Sequence, residues 1–118
     1  MSSAATWPPQ VGELLSRAAK AYTAPEKLAW ILSQEGHGRE WARVLRVGEH
    51  DARRFWEAIA HAVLDAPICK VIDRGPHGTV CGVEITLAIS GRAAKARTSW
   101  HYKYALDAPR LVTAYPRL

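Results

Sequence analysis

Acidic residues are scarce in the second part of this 118-residue sequence: residues 74 to 118 hold only Glu84 and Asp107 against seven Lys/Arg, whereas residues 1 to 73 balance nine against nine. The formal net charge of +5 therefore lies wholly in the second part. That asymmetry points to an anionic partner, of which nucleic acid is the commonest; the plainer reading is solubility charge on an exposed sheet face. Long apolar runs are also missing. None approaches the roughly 20 residues needed to cross a bilayer, and the stretch Met1-Ser2-Ser3-Ala4-Ala5-Thr6-Trp7-Pro8-Pro9 lacks the basic flank and apolar core of a secretion signal. A cytoplasmic protein, with no membrane partner, is the expectation. Cysteine is limited to Cys69 and Cys81. Both fall in strand-like apolar segments and read as reduced core thiols, with a disulfide as the other reading. Without a matching His spacing they make no zinc site, so neither metal nor cofactor is expected.

What is present suits one α+β domain, since 48% apolar residues in a chain of this length supply a single core. Only residues 1–9 read as a loosely held leader, with the domain spanning 10–118. Val11, Leu14, Leu15 and Ala18 lie at helical spacing and predict a helix over 10–21. Thr23-Ala24-Pro25-Glu26 has the form of a capping box opening a second helix that buries Leu28, Ile31 and Leu32. Gly36-His37-Gly38 breaks it, and a third short helix follows over 39–47 with Ala42, Leu45 and Val47 apolar. Asp51 is placed to cap a fourth, whose inward stripe is Phe55, Trp56, Ile59, Val63 and Leu64, and Pro67 stops it.

Beyond Pro67 the hydrophobic period changes from helical to alternating, which predicts strands over 68–72, 79–89, 94–104 and 110–115 in a four-stranded antiparallel sheet with the helices on one face. In the third strand alternation puts Thr98, Trp100, Tyr102 and Tyr104 inward and Arg97, Ser99, His101 and Lys103 outward. Glu84 and Thr86 project from the neighbouring strand to the same outer surface. A general acid/base pair, His101 with Glu84, among cations able to hold a phosphate is the chemistry of RNA cleavage without metal: a base takes the 2′-hydroxyl proton, an acid protonates the leaving oxygen, and Arg or Lys stabilises the phosphorane. A passive solvated face has the same pattern. His61, His50 and His77 read as surface and turn residues, whereas His37, between two glycines, is set to present an imidazole and Arg39 to an anion.

Pro25-Glu26-Lys27-Leu28 with Trp30-Ile31-Leu32, Gly36-His37-Gly38-Arg39 with Ala42, Arg97-Thr98-Ser99-Trp100, and Pro109-Arg110-Leu111-Val112-Thr113-Ala114-Tyr115-Pro116 resemble an uncharacterised bacterial domain family found alone and at the C-termini of toxin-like and phage-associated proteins. The closing segment is the most specific part. That family's element order is similar to the barnase/EndoU/colicin/RelE superfamily of metal-independent ribonucleases, many of them toxins. The resemblance implies a toxin effector cleaving tRNA or mRNA in the cytoplasm, delivered there within a secreted effector, with a cognate immunity protein as partner. It assigns the roles from outside the third strand to Lys27 or His37 and to Thr113, while the phosphate contacts read from alternation and from the glycine-flanked loop remain Arg97, Lys103, Ser99 and Arg39, with Lys27 added by the resemblance. Thr113 is ambiguous, because either Leu111 or Val112 fits the inward position. The family pattern has Gly-Arg-x-Lys-Ala, whereas Gly38-Arg39-Glu40-Trp41-Ala42 puts Trp41 where the Lys would fall. This moves the cationic role to Arg39 or Lys27, or marks a member that has lost nuclease activity. The alternatives are a non-catalytic RNA-binding module and a protein-interaction module such as an immunity or adaptor protein.

Overall fold

The computed structural model describes residues 7–117. Three helices, α1 (Pro25–Ile31), α2 (Gly38–Leu45) and α3 (Ala52–Ala62), precede four strands, β1 (Ile68–Asp73), β2 (Thr79–Ile89), β3 (Arg92–Tyr102) and β4 (Arg110–Pro116). The strands form one antiparallel sheet in the order β1-β2-β3-β4, and the helices pack on one face of it, giving the expected α+β fold. Beyond residue 75 the only helical geometry among the described residues is a single 3-10 turn at Gly75–His77, inside the loop between β1 and β2.

The core fills the space between helices and sheet because each element turns an apolar side to it. Phe55, Ile59 and Val63 come from α3 and its continuation, Trp41 and Leu45 from α2, and Val83, Ile85, Leu87, Trp100 and Leu111 from the strands; all are buried. Trp56 is half-buried against Trp100, and Leu64, expected in the stripe, is exposed because a 3-10 turn over Val63–Asp65 rotates it outward. In β3, Thr98, Trp100 and Tyr102 face the core and Arg97, Ser99 and His101 face out, as alternation requires. Tyr104 does not face the core: β3 ends at Tyr102 and Tyr104 is 65% exposed.

The 10–21 helix does not form. A 3-10 turn at Ala18–Lys20 is the only helical geometry there, Arg17 adopts a left-handed φ of 58°, and Val11 and Leu14 are exposed. Sheet edges bind this backbone instead. Gly12 N–H donates to Ile68 O and Ile68 N–H to Glu13 O, each at 2.8 Å, while Tyr22 exchanges backbone bonds with Pro109 and Leu111. Its partners are thus Ile68 at the start of β1 and Pro109 and Leu111 at the start of β4; Glu13 O, which a helix would have paired internally, is taken by Ile68 N–H instead. The Tyr102 hydroxyl donates to Ser16 O at 2.6 Å, and burial raises its pKa well above the usual phenol range. Of the expected leader, Met1 to Thr6 lie outside the described residues, whereas Trp7 packs edge-on against Tyr102 and Pro9 is buried.

Two caps also differ from expectation. Ala24, not Thr23, precedes α1, and Thr23 makes no bond to the helix N-terminus. Asp51 precedes α3 but turns its carboxylate back to Gly48 N–H at 2.9 Å; that bond, with Arg54 and His50 beside it, holds its pKa below the usual carboxylate range. The thiols are free. Cys81 is buried, and desolvation pushes it up to about 11, leaving an inert thiol at neutral pH. Cys69 is not in the core: a bulge between Ile68 and Lys70 exposes it, with its thiol 3.3 Å from Gly82 O.

One buried polar relay ties β2 to β3. Thr98 Oγ1 donates to Val83 O and accepts from Trp100 Nε1, both at 2.8 Å. Thr98→Val keeps the shape and removes the relay, so it should cost about 1–3 kcal/mol through the stranded indole donor. The measurement is the urea midpoint, which should fall at constant m-value.

Candidate functional site

The β2–β3 hairpin closes on the two-residue turn Ser90-Gly91, both with positive φ, and so sets the lateral register of the outer face. Ile89 lies opposite Arg92, Glu84 opposite Arg97, and His101 opposite Val80. Glu84 and His101 are therefore four residues apart along the sheet, about 13 Å at ~3.3 Å per residue. The expected acid/base pair is not assembled. Glu84 instead binds two guanidiniums: Arg97 Nη1 and Arg117 Nη1 each lie 3.2 Å from its Oε2. The Arg97 head reaches across β2 over Gly82, where any Cβ would lie only 2.9 Å from its Nε.

His101 has both ring nitrogens engaged. Its Nε2 is 2.6 Å from His77 O, an acceptor only, so Nε2 carries the proton and donates; Nδ1 is then left to accept from Arg110 Nη2 at 3.4 Å. This imidazole joins the Gly75–His77 turn to β4 and has no free lone pair for a substrate proton.

The β3–β4 pairing decides the orientation of Thr113. Ser99 pairs with Thr113 but Trp100 pairs with Leu111, so Val112 is the extra residue of a bulge. Leu111 and Ala114 are buried and face the core, while Thr113 shares the outer face with Ser99. Two residues on, Tyr115 lies opposite Arg97 on the same face. Three pairs thus line up across β3 and β4: His101 with Arg110, Ser99 with Thr113, and Arg97 with Tyr115.

His37 reaches this row from the helical layer. Cβ atoms at Gly36 and Gly38 would strike the Trp30, Leu32 and Ser33 carbonyls at the end of α1, so only glycines allow the link to lie this close. The His37 and Gly38 amides then donate to Ile31 O and Ser33 O at 2.9 Å. Thus anchored, His37 begins α2 with its ring 5.5 Å from that of Tyr115. Its Nδ1 is 3.1 Å from Glu40 Oε1, a carboxylate that only accepts, so Nδ1 carries the proton and Nε2 presents its lone pair. The His37–Glu40 pairing was not an expectation from sequence; the i,i+3 spacing once the helix starts at Gly38 is the signal that marks it.

The remaining candidates are dispersed. Trp41, where the resemblance implied a Lys, is fully buried and donates its indole N–H to Ala114 O at 3.1 Å. Arg39 is exposed and borders a depression with Gln34, Val47, Gly48 and Glu49, none of them on the sheet. Lys27 sits half-buried on α1. Lys103 lies past the end of β3 with its ammonium 5.8 Å from the Tyr104 ring centroid. Among the described residues no cluster of three or more His, Cys, Asp or Glu has the arrangement of a metal site, and no helix is long and apolar enough to cross a membrane.

A fold with α-helices on one face of a four-stranded antiparallel sheet, and a row of imidazole, phenol, hydroxyl and guanidinium groups on and beside the other, defines the class. The chain belongs to the family described as a domain of unknown function, DUF6883, which it matches over residues 14–118. No curated protein and no solved structure matches it.

Proposed function

We propose that this domain is a metal-independent endoribonuclease of the toxin-effector kind, acting on tRNA or mRNA in the cytoplasm, with His37 rather than His101 as its general base. The observation that carries the proposal is the delivery of the His37–Glu40 pair onto Tyr115, beside the outward row of Arg97, Ser99 and Thr113. In the proposed reaction His37 Nε2 takes the proton of an RNA 2′-hydroxyl, whose oxygen bonds to the adjacent phosphorus as the bond to the 5′ oxygen breaks. The protonated imidazole or the Tyr115 phenol then supplies the proton that the leaving oxygen gains. Arg97, held flat over Gly82 by Glu84, stabilises the charge on the phosphorane, and Ser99 and Thr113 offer hydroxyls to the phosphate oxygens. A toxin acting this way requires an immunity protein in the cell that makes it, and the basic outer face suits an acidic one.

The test is incubation of the protein with total RNA in EDTA. Cleavage leaving 2′,3′-cyclic phosphate ends is the expected result, and intact RNA overturns the proposal. Buried Trp41, standing where the resemblance implies a Lys, favours a second reading, RNA binding without cleavage, for which affinity without product is the mark. In either case Arg97→Ala should reduce the slope of log affinity against log salt by roughly 0.7 for single-stranded RNA. An unchanged slope would move the phosphate site off β3.

A further inference from the structure

We infer that Tyr104, with Lys103, forms a nucleobase subsite for single-stranded RNA at the end of the outer face where β3 meets β4; the inference rests on the ribonuclease reading. Tyr104 is 65% exposed, more than any other aromatic residue described, although the strand alternation leading to it would place it in the core. Nor does the loop hold it loosely. Asp107 Oδ2 accepts the backbone N–H of both Lys103 at 3.1 Å and Tyr104 at 2.8 Å, and Asp107 N–H returns a bond to Tyr104 O at 3.1 Å. Because the backbone beneath the ring is already fixed, a base that stacks on it orders only the side chain, which keeps the entropic cost small. Its neighbours suit the rest of a nucleotide. The Lys103 ammonium, 5.8 Å from the ring centroid, is placed for the adjoining phosphate, and the loop joins β3 to β4 at the end that carries His101 and Arg110. Stacking is indifferent to base identity, so this subsite would strengthen binding to unpaired RNA without selecting a sequence.

The experiment measures binding of a short fluorescein-labelled oligouridylate in EDTA, with every protein carrying His37→Ala to prevent cleavage. Adding Tyr104→Ala should weaken affinity about tenfold or more, as loss of one stacked base does, while Tyr104→Phe retains it and the melting temperature stays unchanged in both. The Tyr104→Ala loss should disappear against an oligonucleotide whose nucleotides are abasic. Unchanged affinity in Tyr104→Ala, or equal losses in Ala and Phe, would remove the subsite and leave the nuclease proposal intact. A protein that binds no RNA at all would remove both. If Tyr104→Ala and a change at Leu106, exposed in the same loop, instead abolish self-association at high protein concentration without altering RNA affinity, the exposed ring is a protein contact and the inference is wrong.

Discussion

His37→Ala should slow RNA cleavage by about a hundredfold or more, the usual loss on deleting a general base, and it should do so in a protein that still folds. The His37 side chain is about one-third exposed, and its contacts are the Tyr115 ring and the Glu40 carboxylate. Losing them should cost about 1 kcal/mol, given the modest worth of an aromatic contact and of a partly exposed hydrogen bond. For a domain of this size that lowers the melting temperature by roughly 4 °C. His101→Ala should behave in the opposite way. Both of its nitrogens already hold protein groups, so its removal frees the Gly75–His77 turn and the Arg110 side chain and lowers the melting point before it touches turnover. RNA cleavage and thermal melts on the two variants are the measurement. Cleavage lost in His101→Ala and retained in His37→Ala would reverse the assignment.

Those contrasting roles show what the sequence could and could not convey. The period of two in β3 is unambiguous and puts Arg97, Ser99 and His101 on the outer face, because Thr98, Trp100 and Tyr102 leave no other register for the core. Lateral register was also encoded, in the turn at Ser90-Gly91. A two-residue hairpin turn fixes Glu84 opposite Arg97, which already separates it from His101. The bulge at Val112 is different, since alternation cannot signal an inserted residue, and without it Thr113 has no defined face. The 10–21 segment departs from the helix for a tertiary reason: its apolar spacing fits a helix, but the Gly12 amide and the Glu13 carbonyl bond to Ile68 and the Ser16 carbonyl to Tyr102, contacts made 50 or more residues away. The approach of His37 to Tyr115 is equally remote in sequence: the flanking glycines and the family resemblance mark His37, but nothing marks Tyr115 as its neighbour.

Trp41→Ala should be among the most destabilising single changes in the chain, costing about 3–5 kcal/mol as other buried Trp→Ala changes do, against a total of roughly 5–15 for a domain. The side chain has no exposed surface, meets Phe55 edge-to-face with centroids 4.8 Å apart, and supplies Ala114 O with an indole donor on the open edge of β4. It thereby holds α2, and with it His37, against the strand that carries Thr113 and Tyr115. Trp41→Phe retains the ring contact and removes the donor, so a smaller loss of about 1–3 kcal/mol is expected from the unpaired carbonyl. Trp41→Lys restores the residue type the family resemblance implies, yet here it would place an ammonium in the centre of the core, where an unpaired charge is costly. It should melt below Trp41→Phe and cleave no RNA faster. Thermal melts of the three variants order these costs. If Trp41→Lys instead melts normally and gains activity, α2 must be able to turn that position toward the outer face, and the arrangement that fixes His37 over Tyr115 would not be the one in which the protein works.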